Sequence, residues 1–225
     1  MSRHESRRSQ EERRDEAERR LLDAAAELIG EVGPSKVTLA AIGERAGYSR
    51  GLATHHFGSK PALMERLVDS VTDRFREVLR PDAPAASTED AALDLIRTYF
   101  AVLADLPAPN RARLLLWADA AATASADARP AMISADRVFR EEITRVLERG
   151  KAIGEIPDSV TPGGLATVII GMLRGVALES MLDDTVDLDA CRAEAEQLIT
   201  TRLAGRRSGS DSPDPERSGT PDLSR

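Results

Sequence analysis

The chain has 225 residues, 41% hydrophobic but only 3% aromatic, and a formal net charge of −7. That length holds one large or two modest domains with real cores, and a core built from Ala, Leu, Val and Ile favours helices over a β-sandwich. The lone cysteine, Cys191, excludes a disulfide framework or a multi-cysteine zinc site within one chain.

No apolar run approaches the ~20 residues that span a bilayer. The N-terminus lacks the apolar core of a secretory signal. The expectation is a cytoplasmic protein without a membrane partner. The acidity is unevenly placed: residues 1–60 carry 11 basic and 10 acidic side chains, so the acidic excess lies beyond them. Affinity for DNA follows the local array of cations, not the whole-chain charge, so a nucleic-acid partner for the first part remains open.

Residues 1–12 are charged and apolar-poor, and are expected to form a disordered arm, either touching phosphates or simply solvated. From about Glu12, Leu21, Leu22, Ala25, Leu28, Ile29 and Val32 recur at helical spacing until Gly33-Pro34. Thr38 then suits an N-cap, and Leu39, Ile42 and Ala46 mark one face of a short helix stopped by Gly47. Tyr48 fills the turn and Ser49 is typed to cap a second short helix, Arg50 to His56. Two short helices across a glycine-containing turn make a helix-turn-helix, whose second helix can enter the DNA major groove.

On that second helix Ala53 and Phe57 can pack inward, leaving Arg50, Gly51, Leu52, Thr54, His55 and His56 at or near the exposed side. Arg50, Leu52, Thr54 and His55 are the candidates for base preference, and Gly51 permits close backbone approach. Thr38, Ser49, His56 and Lys60 are candidates for phosphates, Lys60 together with a helix N-terminus capped by Ser59. Leu63, Leu67, Val71, Phe75 and Val78 or Leu79 stripe a further helix over 61–80, and PDAPAAS (81–87) breaks the pattern.

Thr88 is expected to cap a helix to about Ala104; helices follow over 111–126, 130–151, 161–183 and 188–204, then a Ser/Pro/Gly-rich tail, 205–225, expected to be disordered. Residues 161–183 are apolar around most of the circumference, as for a helix buried on more than one side. The surplus apolar surface of the last two helices suggests an intermolecular four-helix bundle, with Leu165, Ile169, Leu173, Val176, Leu198 and Ile199 as interface candidates. Tyr99, Phe100, Trp117, Met132, Phe139 and Met172 are either the large residues of an Ala-rich core or the lining of a ligand pocket. Arg97, Arg113, Asp119 and Arg174 are its candidate polar anchors.

The stretch AGYSRGLATHHFGSKPAL resembles the recognition-helix region of TetR/AcrR-type bacterial transcriptional regulators, which commonly read A-G-V-S-x-G-x-L-Y-x-H-F-x-S-K-x-x-L. Ala46, Gly47, Ser49, Gly51, His56, Phe57, Ser59, Lys60 and Leu63 match. Tyr48 replaces a small aliphatic residue, Ala53 a leucine, and Thr54 a tyrosine whose phenol typically meets a DNA phosphate; threonine has shorter reach. The likeness is close over residues 17 to 80 and rests on helix pattern alone beyond them.

The resemblance implies an all-α, two-domain homodimer. Its helix-turn-helix domain (13–60) would be joined through a connecting helix (61–80) to an effector-binding and dimerisation domain (88–204). The implied function is a repressor released from a palindromic operator by a small-molecule effector. Alternatives from other classes are a constitutive DNA-bound dimer without effector and a helical enzyme. All three histidines lie before residue 57 and there is one cysteine, so the commoner acid–base, thiol–imidazole and zinc solutions are missing from the C-terminal part. No metal or cofactor is expected: His55 and His56 are adjacent on a helix and point about 100° apart.

Overall fold

The computed structural model describes residues 10–80 and 84–204; among these the chain forms nine α-helices and one short 3-10 turn, with no strand. Helix α1 (Gln10–Val32) is followed by the 3-10 turn Pro34–Lys36, α2 (Leu39–Arg45), α3 (Leu52–Phe57) and α4 (Lys60–Val78). The C-terminal part holds α5 (Thr88–Ala104), α6 (Ala108–Ala122), α7 (Arg129–Ala152), α8 (Pro162–Leu182) and α9 (Leu188–Ala204).

Several helix ends are set by the residues typed for them. The Thr38 hydroxyl accepts from Ala41 N–H at 3.2 Å, and Ser59 caps α4 by accepting from Ala62 N–H at 3.3 Å. Gly47 and Gly58 close α2 and α3 with φ near +79° and +78°, where a Cβ would be strained. Several boundaries differ from expectation, among them α6, which runs Ala108–Ala122 rather than over 111–126. Gln10 to Glu12, read as part of the arm, begin α1, and the rest of the arm, like the tail 205–225, lies outside the described residues. The cap of α5 is Ser87, not Thr88, whose hydroxyl and N–H instead donate to Glu155 at 2.5 and 2.8 Å. Helix α3 starts two residues late, with Arg50 and Gly51 in a turn.

Two apolar cores run through the chain, and neither respects the break at 81–87. One gathers Leu21, Ala25 and Ile29 of α1, Ile42, Ala53, and Leu63 to Val71 of α4. It is completed by Ala112, Leu116 and Ala120 of α6 and Met132 of α7. The other joins Phe75 of α4 to Ile96, Tyr99, Phe100, Leu114, Leu147, Ile169, Leu173 and Ile199. Helices α4, α6 and α7 therefore belong to both. The undecided end of the α4 stripe resolves in favour of Leu79, which packs on the second core while Val78 is half exposed. Close-packed interiors transmit displacement rather than absorb it, so this sharing mechanically ties the N-terminal helices to the rest.

Helix α8 corrects one exclusion. Pro162–Leu182 is long and apolar enough to cross a membrane by length and composition alone. Here it packs on α7 and α9 and carries Arg174, a buried cation paired with Asp136 of α7.

Candidate nucleic-acid interface

The α2–turn–α3 unit is held by backbone contact as much as by side chains. Tyr48 N–H donates to the Gly43 carbonyl at 2.9 Å, and Leu52 N–H to the Ser49 carbonyl at 3.0 Å, which starts α3. Gly43 is buried in α2, and a Cβ there would lie 2.7 Å from the Ser49 carbonyl oxygen. Only glycine lets α2 approach the turn this closely. The residue was not singled out by pattern, because a glycine inside a helical run reads as a weakness rather than a contact.

On the outer side Ser49, Arg50, Gly51, Thr54 and His55 are exposed, with Tyr48 and Leu52 half-buried. Ser49 supplies its carbonyl, not its hydroxyl, to the helix start; the N-cap position falls at Gly51. Its hydroxyl is left for an external acceptor. Arg50 is 77% exposed and ion-paired with Glu44, a contact that competes with any base or phosphate. Nothing lies within 4 Å of a Cβ on Gly51, so that face is open to close approach.

Two expected phosphate ligands are turned elsewhere. His56 Nε2 sits 3.1 Å from Glu18 Oε2 of α1, with its side chain 10% exposed and its ring edge-on to Phe57. It ties α3 to α1 instead of facing outward. Lys60 donates to the Ser35 carbonyl at 3.1 Å and lies 3.8 Å from Asp127 of the α6–α7 loop. It lines a cleft of about 360 Å³ with Met64, Asp119 and Thr123. The Pro34 turn brings the Ser35 carbonyl under the ammonium, a placement no helical periodicity encodes. Conversely Lys36, exposed on the 3-10 turn ahead of Thr38 and outside the expected set, has no ion pair among the described residues.

Glu18 is the hub beneath this face. It accepts from Arg66 of α4 at 2.5 and 3.0 Å while contacting His56 of α3. Burial alone would raise its pKa, but the Arg66 and His56 hydrogen bonds outweigh that and hold the carboxyl below its ordinary value.

At the far end of α4 a second polar group lies inside the protein. Thr72, Phe75 and Arg76 of α4, Arg113 of α6, Met132, Asp136 and Phe139 of α7 and Arg174 of α8 enclose a cavity of about 20 Å³. The Arg113 guanidinium lies over the Phe75 ring at 3.6 Å and Arg174 over Trp117 at 4.2 Å. Both arginines are more than nine-tenths buried. Burial, reinforced by the Arg174 charge, pushes the Arg113 pKa below its usual range despite Tyr99 and Asp136.

Of the six expected pocket residues, Met132 and Phe139 line this cavity, while Tyr99 and Trp117 back its arginines. Phe100 and Met172 do not line it and pack on the second core. Of the four candidate anchors Arg113 and Arg174 converge; Arg97 pairs with Glu196 and Asp94 at the surface, and Asp119 lines the larger cleft.

Comparison with known proteins adds the rest. Residues 21–67 match the family model for bacterial regulatory proteins of the tetR family, and residues 88–204 that for the C-terminal part of BetI-type transcriptional repressors. The second match spans more than half the chain. It belongs to the TetR family. The HTH-type transcriptional regulator BetI of Cronobacter sakazakii is 31% identical over 194 residues, covering 83% of this chain and 91% of that protein.

Among solved structures, a TetR regulator from Chloroflexus aurantiacus superposes with a TM-score of 0.75 at 22% identity, over 85% of this chain and 98% of that one. A complex of SmeT with triclosan superposes with a TM-score of 0.69 at 22% identity, over 82% and 90%. TetR regulators bind DNA operators, typically as dimers and with small-molecule effectors, and the relatives found are regulators, not enzymes. This TetR-family chain is a DNA-binding transcriptional regulator.

The TetR-type dimer face expected on α8 and α9 needs redrawing. Ile169, Leu173 and Ile199 are 1%, 1% and 3% exposed and form the second core, so they face their own protomer. Leu165 and Val176 are half-buried, and of the six only Leu198 is exposed. An all-round apolar helix does not say which side is internal. The outward stripe of α8 is Gly164, Val168, Gly171, Gly175 and Leu182, with Val168 at 62% and Leu182 at 85% exposure.

Proposed function

We propose that this regulator is a cytoplasmic homodimeric repressor that reads a palindromic operator and is released from it by an effector bound between α4, α6, α7 and α8. The observation that carries this reading is the double membership of α4. Its N-terminus follows the recognition helix directly, and its other end supplies Thr72, Phe75 and Arg76 to the arginine-lined cavity. Nineteen residues make a rod of about 28 Å, so enlarging the cavity moves the recognition helix as a lever.

Arg50, Leu52, Thr54 and His55 carry base preference; Thr38, Ser49, Tyr48 and the backbone at Gly51 meet the sugar-phosphate chain. Lys36 joins them as a phosphate contact. The dimer forms through the outward stripe of α8 with Leu198 of α9, whose glycines allow close helix approach. Half-sites lie about one helical turn apart, ~34–36 Å, or a multiple of it. The effector acts only through its different affinity for the operator-competent and released conformers.

The test is fluorescence anisotropy with the protein's own upstream intergenic DNA, against excess nonspecific duplex at physiological salt. A saturable complex that survives competition and carries two protomers per duplex supports the reading. Failure with that DNA and with duplexes selected from a random pool would overturn it. A complex that no small molecule loosens would leave a constitutive DNA-bound dimer.

A further inference from the structure

We infer that the cavity between α4, α6, α7 and α8 is an anion site, and that the effector is an amphipathic carboxylate whose head group meets Arg113. This rests on the effector reading above and specifies the effector's chemistry. The charge count inside the site comes first. Arg113 and Arg174 are both more than nine-tenths buried, and Asp136 is the one carboxylate among the cavity's lining residues. Asp136 is already paired with Arg174 and lies 3.8 Å from Arg140. The other cation on the wall, Arg76, pairs with Glu142 of α7. Arg113 is left with a ring face, the hydrogen-bonded phenol of Tyr99 and a share of the Asp136 charge, which offset its own charge only partly. A buried cation without a counter-ion of its own is costly, and natural interiors keep one only where something else pays that cost.

Two orphaned atoms give the second observation. Arg113 Nε and the Thr72 hydroxyl are buried without a hydrogen-bond partner, and both residues line this cavity. A guanidinium N–H and a hydroxyl are both donors, and a carboxylate offers acceptor oxygens to both. A cationic ligand would add a third positive charge; a neutral apolar one would leave both donors bare. The space of about 20 Å³ holds no more than a water or one oxygen-sized group, so the rest of the ligand must displace side chains. Met132 and Phe139 form the apolar part of the wall, and methionine readily repacks. An apolar tail fits there.

The test uses the full chain without DNA. Isothermal titration with octanoate and benzoate, each against its neutral amide, reads the charge preference directly. At least tenfold tighter binding of a carboxylate than of its amide is expected. Arg113→Met should abolish that preference while leaving weak binding of both. Thr72→Val removes an unpaired buried hydroxyl, so it should fold with an unchanged or raised melting temperature yet lower carboxylate affinity several-fold. Thr72→Val thus keeps the test open should Arg113→Met fold poorly. Equal binding of acid and amide, binding of neither, or a preference that survives both substitutions would overturn the anion site and leave a buried water on Arg113. Operator release is then measured separately by anisotropy. Carboxylates that bind through Arg113 without releasing DNA refute the effector reading, not the site.

Discussion

Arg113 of α6 stacks its guanidinium 3.6 Å from the centre of the Phe75 ring of α4, and Phe75 meets Tyr99 and Phe139 edge-on at 5.7 and 6.0 Å. A connecting helix is thereby fastened to the C-terminal part through an aromatic ring against a buried cation. Replacing Phe75 by leucine keeps an apolar side chain but removes the ring face. Desolvated cation–π contacts are worth about 2 kcal/mol and aromatic pairs about 1 kcal/mol each. The Phe75→Leu variant is expected to lose about 3–4 kcal/mol in urea denaturation. An unchanged midpoint would show that the stacking contributes no net stability.

A different substitution separates DNA recognition from folding. In Gly43→Ala the new methyl would sit 2.7 Å from the Ser49 carbonyl oxygen, and backbone cannot rotate away as a side chain can. The same oxygen receives the Leu52 N–H that opens α3, so relief of the clash reorients the recognition helix. Overpacking of this size costs about 1–3 kcal/mol. Operator affinity should fall by more than the loss of folded protein explains. Gly51→Ala is the control: its Cβ meets nothing and its φ of −83° suits any residue. It should leave thermal stability unchanged, and any loss of DNA affinity would mark close backbone approach at that position.

How far these residues were legible beforehand differs between the two ends of α4. The caps at Thr38 and Ser59, the stop at Gly47 and the inward Ala53 follow from local rules, and the structure has them. His56 and Lys60 were placed on DNA because their residue types suit phosphates. Their partners within the protomer, Glu18 and Ser35 with Asp127, lie 38, 25 and 67 positions away, beyond any periodic signal. The cavity shows the same limit. Arg113 and Arg174 were only two of four candidate cations and anions until packing brought α6, α7 and α8 together. For α8, apolar content on all sides concealed which stripe the second core would take.

The Glu18 hub gives a pH dependence with a definite sign. Its folded-state pKa is lowered below the ordinary 4.5, so the unfolded chain binds the proton more readily. The stabilisation is present above 4.5 and is lost as pH falls through the folded value. Glu18→Gln should therefore be less stable by about 1–2 kcal/mol at neutral pH, since hydrogen bonds to a charged group are removed. It should also show a shallower loss of melting temperature on acidification below pH ~4.5. Parallel melting curves for the two proteins across that range would remove Glu18 from the account of acid sensitivity.

The redrawn dimer face makes opposite predictions for adjacent residues of α8. Val168 is 62% exposed in the protomer, so Val168→Glu places a carboxylate in water and leaves the fold intact. Across the proposed interface the same carboxylate would face its own copy, because a two-fold axis brings like surface to like. Burying unpaired charge there is strongly unfavourable. Sedimentation should show a monomer with wild-type helicity and no specific operator complex. Ile169→Glu, one position on, puts the charge into the second core at a residue 1% exposed and should unfold the protein outright. Leu198→Glu on α9 should behave as Val168→Glu, since Leu198 is 59% exposed. A dimer that persists in both exposed variants would move the interface away from this stripe, because two like charges at its centre leave no packing that keeps it closed.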